Sequence, residues 1–205
     1  MNVDEVRKKL LLHTPKIMGS EAFTRYAVLL PLVKKEDGIH ILFEERALTL
    51  NRQPGDICFP GGKVDFEDVN EEYTAIRETI EELGLKRDNI GELYSLDYIV
   101  TAFGTIIYPF AGFIQNTHEI EINKSEVESY FTVPLSFFVD NLPEIHYVNY
   151  QAEPEEKFPL DSIVGGKDYQ WQSRKIDEYF YHYENRAIWG LTAKVLTHFV
   201  DTFCR

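Results

Sequence analysis

The sequence predicts a fold of the α+β class or an α/β/α sandwich, because strand-like and helix-like segments follow one another in mixed order. Two further observations support that class. A sharply bounded helix over about 69–83 follows a Pro-Gly-Gly turn. The last segment, about Arg186 to Phe203, repeats Ile188, Thr192, Val195, Phe199 and Phe203 at steps of three and four, the stripe of a helix that packs on a sheet. A chain of 205 residues suits one ordinary domain, taken as 1–205.

Asp4 to Leu12 reads as a short amphipathic helix within an N-terminal extension over 1–25. Tyr26 to Val33 and Ile39 to Glu44 read as a hairpin around Lys35-Glu36-Asp37-Gly38. A polar loop, Leu48 to Gly55, leads into Asp56-Ile57-Cys58-Phe59 and then Pro60-Gly61-Gly62. The helix that follows is expected to take Asp68 as N-cap, with Glu71 three residues on, and Gly84 as its stop. Glu92 to Val100, Ile106 to Ile114 and Tyr130 to Val133 are rich in β-branched and aromatic residues and read as strands, with a short helix over Leu135 to Val139. From Asn141 to Lys175 periodicity is weak and Pro143, Pro154, Pro159 and Gly165-Gly166 recur, so a long surface excursion is expected, a candidate substrate lid. The cluster Tyr179-Phe180-Tyr181-His182-Tyr183 is expected to pack on the sheet.

Hydrophobic residues make up 44% and charged residues 27%, with 14 Phe and 12 Tyr, which demands a packed core and excludes disorder, collagen-like repeats and coiled coil. Cys58 and Cys204 are too few for a disulfide framework or a zinc cluster. The net charge of -13, from 21 basic and 34 acidic residues, argues against a nucleic-acid partner, because backbone phosphates need clustered cations. An acidic protein that handles phosphates needs a divalent metal to bridge the like charges. The apolar stretch Tyr98 to Ile114 is interrupted and too short for a bilayer, and the N-terminus is no secretory signal. No membrane partner and a soluble cytoplasmic setting are therefore expected.

The chemistry lies in Arg77-Glu78-Thr79-Ile80-Glu81-Glu82-Leu83-Gly84-Leu85. At about 100° per residue, Glu78, Glu81 and Glu82 share one helical face and Tyr73, Ile76, Ile80 and Leu83 lie opposite, as a core face. Like charges at such spacing cost a few tenths of a kcal/mol per pair. A hard cation such as Mg²⁺ offsets that repulsion through carboxylate oxygens and also accepts substrate phosphates as ligands. Three glutamates on a helix are most often a solvated surface. The Gly61-Gly62 turn just upstream, which allows close backbone approach, turns the balance toward a site.

These residues carry a resemblance. The segment from Gly62 to Leu85 resembles the Nudix box, G, five residues, E, seven residues, then REUxEExGU, with its second half at Arg77, Glu78, Glu81, Glu82, Gly84 and Leu85. Thr79 stands at the small or apolar position, and the front half is one residue longer, with Asp68 in place of the front glutamate. The preceding block, Ile41 to Arg46, then Arg52, Pro54-Gly55 and Phe59-Pro60-Gly61-Gly62, is similar to that of the coenzyme A pyrophosphatase branch, written LLTxRS…R…PG…FPGG, with Ala47 where the branch has Ser. Gly61-Gly62-Lys63-Val64-Asp65, Asp68 and Thr74-Ala75-Ile76-Arg77-Glu78 also match that branch, so the longer spacing reads as a branch feature. The resemblance runs over about 26–200.

It implies a Nudix fold, an α/β/α sandwich with a mixed sheet, and a pyrophosphohydrolase dependent on Mg²⁺ or Mn²⁺. By resemblance, Glu78 and Glu82 are metal ligands, Glu81 is a third ligand or a base acting through water, the Gly62 carbonyl completes the metal shell, and Arg77 orients the glutamates. Gly61 and Gly62 approach the substrate, and Arg46 and Arg52 are candidates for a 3′-phosphate. The implied substrate is coenzyme A or its thioesters, split into 3′,5′-ADP and 4′-phosphopantetheine. ADP-ribose, NADH or a nucleoside triphosphate is the alternative within the same chemistry. A non-catalytic nucleotide-binding module is the alternative outside it. A homodimer is compatible with the resemblance.

Overall fold

The structure, a computed structural model, describes residues 2–205. In chain order the elements are α1 (Val3–Leu11), β1 (Thr24–Lys35), β2 (Gly38–Arg46), β3 (Ile57–Cys58), β4 (Gly61–Lys63), α2 (Glu71–Leu83), β5 (Ile90–Ser95), β6 (Ile99–Val100), β7 (Thr105–Ile114), β8 (Val127–Pro134), α3 (Leu135–Asp140), β9 (Glu144–Tyr150), β10 (Arg174–Tyr183), β11 (Arg186–Trp189) and α4 (Gly190–Phe203). Among the described residues no helix is long and apolar enough to cross a membrane.

β1 and β2 form the expected hairpin, with Lys35 paired to Gly38 across a tight turn. On its other side β1 runs parallel to β7 in continuous register from Thr24 with Thr105 to Val33 with Ile114. A strand with neighbours on both edges and helices on both faces needs apolar residues at every position, which is why Ala27, Leu29, Leu30, Leu32 and Val33 are all buried. The large sheet runs β3-β2-β1-β7-β5, with β8 paired to β2, β4 to β1 and β6 to β7. The β1–β7 pair is parallel and the pairings of β1 with β2 and of β2 with β8 are antiparallel, so the sheet is mixed.

Alternation along the strands separates two cores. Leu29 and Leu42 pack with Ala75, Ile76 and Leu83 of α2 on one face. Leu30, Ile41 and Phe43 pack with Phe138 of α3 and with Leu196, Phe199 and Val200 of α4 on the other. The result is the α/β/α sandwich. A second sheet, β11-β10-β9, lies on the α4 side, and its Tyr181 and Ile188 complete that core.

Several boundaries differ from the sequence reading. α2 starts at Glu71 with Asn70 as N-cap, whose side chain accepts the Tyr73 N–H at 2.8 Å; Asp68 is engaged elsewhere. The last helix begins only at Gly190, because Arg186–Trp189 is a strand and Gly190 takes a left-handed φ of 64° that breaks the two apart. Ile188 is thus buried from a strand, Thr192 is half-buried and Phe203 is exposed; the packed face of α4 is Ala193, Val195, Leu196, Thr197, Phe199 and Val200. The 141–175 excursion contains β9, paired with β10 from Glu144 with Phe180 to Tyr150 with Arg174. All seven residues of β9 are exposed, so there was no contrast of buried and solvated positions to betray a strand. The aromatic cluster 179–183 forms the end of strand β10, and from there Tyr181, with Tyr179 and Tyr183, packs against the core on the large sheet as expected. α1 forms as expected, with Asn2 and Glu5 in a capping box, yet buries none of its residues.

Phe138, fully buried, joins the two sheets: its ring lies 5.9 Å from that of Phe43 and 5.1 Å from that of Tyr181. Phe138→Ala is expected to lower unfolding free energy by about 3–5 kcal/mol in urea titrations, the range for truncating a buried aromatic ring.

Candidate active site

The site starts from a backbone approach. β4 pairs with β1, placing Gly61 opposite Val28 and Gly62 opposite Ala27. Gly61 has φ of 151°, and a Cβ there would run into the Ala27 carbonyl and the Val28 backbone. A Cβ on Gly62 would land on the carboxyl group of Glu78. α2 can therefore lie with Glu78 against Gly62 and Glu82 against Gly61, whose N–H donates to Glu82 Oε2 at 2.8 Å.

This contact rotates α2 away from the orientation read from the sequence. Its buried positions are Thr74, Ala75, Ile76, Thr79, Glu82 and Leu83, while Tyr73 is 48% exposed. Glu82 is only 4% exposed, Glu78 lies at the edge of the buried face, and Glu81 is turned outward. The three glutamates are thus not one solvated face.

Arg77 organises the outer half of the site. Its Nε and Nη2 donate to the two carboxylate oxygens of Asp68, each at 3.0 Å, a fork that holds both planes in register. Asp68 also accepts the Thr74 hydroxyl at 2.7 Å and the Asp65 N–H at 3.0 Å. Arg77 above all, with these donors, holds the Asp68 carboxyl well below the usual carboxylate range. The remaining nitrogen, Nη1, reaches Glu78 Oε1 at 2.9 Å and Glu81 Oε2 at 3.3 Å. Asp68 fixes Arg77, and Arg77 in turn fixes Glu78.

The inner half is carboxylate against carboxylate. Glu44 on β2, 1% exposed, stands opposite Cys58 of β3, whose thiol donates to Oε1 at 3.4 Å. Its Oε2 is buried without a partner. Glu44 and Glu82 lie close enough to exchange a hydrogen bond when one of them is protonated. Burial pushes both up, and the Glu44 charge pushes Glu82 up further. Burial also raises Glu78, against the pull of Arg77. Cys58 lines this wall, and burial raises its thiol.

Of the two arginines predicted for substrate, Arg46 stands beside the carboxylates: its charge acts on Glu44, and its Nε is buried and unpartnered. Arg52 sits on the exposed loop 51–54 and is not brought into the cluster. Glu126, whose carbonyl accepts the Ala47 N–H at 2.8 Å, is close enough for its charge to raise Glu44, Glu78 and Glu82. Glu128 is exposed. Glu44 was missed from sequence, although a signal was present: it stands two residues after Leu42 and so shares the helix-facing side of β2 with it.

Among the described residues no three His, Cys, Asp or Glu side chains form a ready metal cage. The donor set nevertheless fits a hard cation: an orphaned Glu44 oxygen, Glu82 repelled by its neighbour, and Glu78 seated on a glycine backbone, all oxygen ligands.

The family model described as NUDIX domain matches residues 23–157. The chain belongs to the Nudix family. A Nudix hydrolase of Photorhabdus laumondii named NudL is 30% identical over 190 residues, 93% of this chain and 90% of that one. Peroxisomal coenzyme A diphosphatase NUDT7 of Mus musculus is 33% identical over 60% of this chain, and peroxisomal coenzyme A diphosphatase ndx-8 of Caenorhabditis elegans is 37% identical over 50% of it. The match spans 51% of the mouse Nudix protein and 45% of the worm one, so this chain covers about half the length of these two relatives. Among solved Nudix structures, the NUDIX domain of Shewanella oneidensis NrtR complexed with ADP ribose is 17% identical over 68% of this chain and 88% of that chain, with a TM-score of 0.47. A NUDIX hydrolase from Alicyclobacillus acidocaldarius is 18% identical over 58% of this chain and 82% of that chain, with a TM-score of 0.48.

The Asp68–Arg77 fork has a pH signature. A carboxyl group whose folded pKa is depressed adds stability above its unfolded value, near 3.9, and loses it as pH falls toward the folded value. Asp68→Asn is expected to cost about 1–3 kcal/mol at pH 7. The gap to wild type should narrow when urea unfolding is repeated at about pH 3, below that unfolded value.

Proposed function

We propose that this Nudix hydrolase cleaves the diphosphate of coenzyme A or an acyl-coenzyme A, with Mg²⁺ or Mn²⁺ as cofactor, releasing 3′,5′-ADP and (acyl-)4′-phosphopantetheine. The observation that carries the hydrolase chemistry is the seating of Glu78 and Glu82 on Gly62 and Gly61, which gathers carboxylates where a backbone can approach a ligand closely. Support for the substrate is the block from Ile41 to Gly62, together with two relatives named as coenzyme A diphosphatases.

Glu78, Glu82 and the Gly62 carbonyl would hold the cation, with Glu81 next to them at the mouth of the site. When bound, a divalent ion neutralises the diphosphate and makes water a better nucleophile. The chain's own part is positioning. Arg77 pins Glu78 while Asp68 pins Arg77, so the ligand geometry is set before substrate arrives. In the reaction water adds in line to one phosphorus, the bridging P–O bond breaks toward the other phosphate, and the water's proton passes to a carboxylate. Glu126 and Glu81 are the candidates for that acceptor, since both border Glu78. Arg46, beside the cluster and with a free donor, suits a substrate phosphate. Arg52 would meet the 3′-phosphate only from its exposed loop.

Products should be resolved by mass spectrometry after parallel incubation with coenzyme A, ADP-ribose, NADH and dGTP, with and without EDTA. Coenzyme A should be cleaved fastest, and EDTA should abolish it; faster cleavage of another nucleotide refutes the substrate assignment while leaving the hydrolase intact. Glu82→Gln should lower kcat/KM by on the order of 10²–10³, the equivalent of several kcal/mol of charge stabilisation. The metal-free variant should be at least as stable as wild type at pH 7. A carboxyl group whose folded pKa is raised destabilises the fold increasingly as pH climbs above its unfolded value, and the amide removes that effect.

A further inference from the structure

Besides Glu126, the cluster holds a second carboxylate that the Nudix box does not contain. Glu44 comes from β2, on the side of the strand that α2 packs against, and its Oε2 lies buried with no hydrogen-bond partner. Burying an ionised carboxylate without compensation is among the costliest things a fold can do. The donor on its other oxygen, Oε1, is the Cys58 thiol, a weak one. Arg46 is near, yet among the described residues no ion pair joins it to Glu44, and its own Nε lacks a partner. The group facing Glu44 is Glu82, another acid. A satisfied structural acid has donors around it. This one has an acid opposite and a free oxygen, the arrangement in which a cation between the two replaces repulsion with two attractions.

We propose that Glu44 is a further carboxylate of the metal site, reaching the cation through Oε2 from the strand side while Glu82 reaches it from the helix side. This rests on the reading of Glu82 as a metal-holding residue. The site then draws ligands from both the sheet and the helix, so a bound cation ties β2 to α2. It also carries more negative charge than the box alone supplies, which should tighten metal binding before any substrate phosphate is present.

The test is metal affinity without substrate. Mn²⁺ binding to the full chain would be followed by electron paramagnetic resonance and calorimetry for wild type, Glu44→Gln and Glu82→Gln, with circular dichroism to confirm folding. Glu44→Gln should weaken Mn²⁺ binding by roughly 10-fold or more, the scale on which losing a supporting group at a metal site acts. Its metal-induced rise in Tm should shrink with it. If Glu44→Gln binds like wild type while Glu82→Gln does not, Glu44 merely shares a proton with Glu82 and this proposal is overturned, with the hydrolase reading intact. If Glu82→Gln also binds like wild type, the metal site itself has been misplaced and both fall. Should Glu44→Gln not fold, wild-type crystals soaked in Mn²⁺ decide the matter. Anomalous density within about 2.5 Å of Glu44 Oε2 supports the proposal, that being the span of hard-cation bonds to oxygen, and density well outside it on Glu78 and Glu82 alone refutes it.

Discussion

The contact on which the site depends is made where the strand has no side chains and the helix brings its carboxylates onto bare backbone. Gly61 and Gly62 let α2 settle so that Glu82 receives a backbone N–H and Glu78 rests where a Cβ would otherwise be. From that contact follow the rotation of α2, the burial of Glu82, the outward turn of Glu81 and the position from which Arg77 reaches Asp68. Gly84 ends the helix in the left-handed conformation, where a Cβ would run into the Glu121 carbonyl, so the same helix is closely bounded at its far end.

Charge is distributed unevenly along this helix. On the outer side Arg77 meets Asp65, Asp68, Glu78 and Glu81, one cation answering several acids. On the inner side Glu44 and Glu82 face each other with little to answer them. A fold selected only for stability would put apolar residues there. The inner acids weaken the metal-free fold in the way functional sites commonly do, where groups are kept poised for a ligand at the expense of local stability.

Much of this was legible in the residues. The hairpin, the helix with its Gly84 stop and the central apolar strands follow from period and turn chemistry, and the REUxEExGU pattern is specific enough to name a family. What sequence could not supply was partnership. Asp68 looked like a helix cap because caps and arginine partners use the same residue type, and Asn70 took the cap instead. The helical face was misjudged by a fraction of a turn because the three glutamates were set together opposite the core face, when a backbone donor for Glu82 was waiting in a distant strand. β11 was absorbed into α4 because Ile188 is apolar in either period, and only Gly190 separates the two readings. Glu44 lay in plain view within a strand, but its opposite number is on an element that becomes its neighbour only after folding.

The long parallel pairing of β1 with β7 bears on how the chain is made. β1 acquires its hairpin partner β2 almost at once, yet its second edge stays open until the ribosome has delivered Thr105 to Ile114. Throughout that interval the nascent chain carries an apolar strand with one unsatisfied row of amides and carbonyls, the kind of edge that invites pairing with a stranger. Synthesis speed between Gly38 and Thr105, and the company of chaperones during it, therefore bear on yield in a way that no property of the finished molecule would reveal.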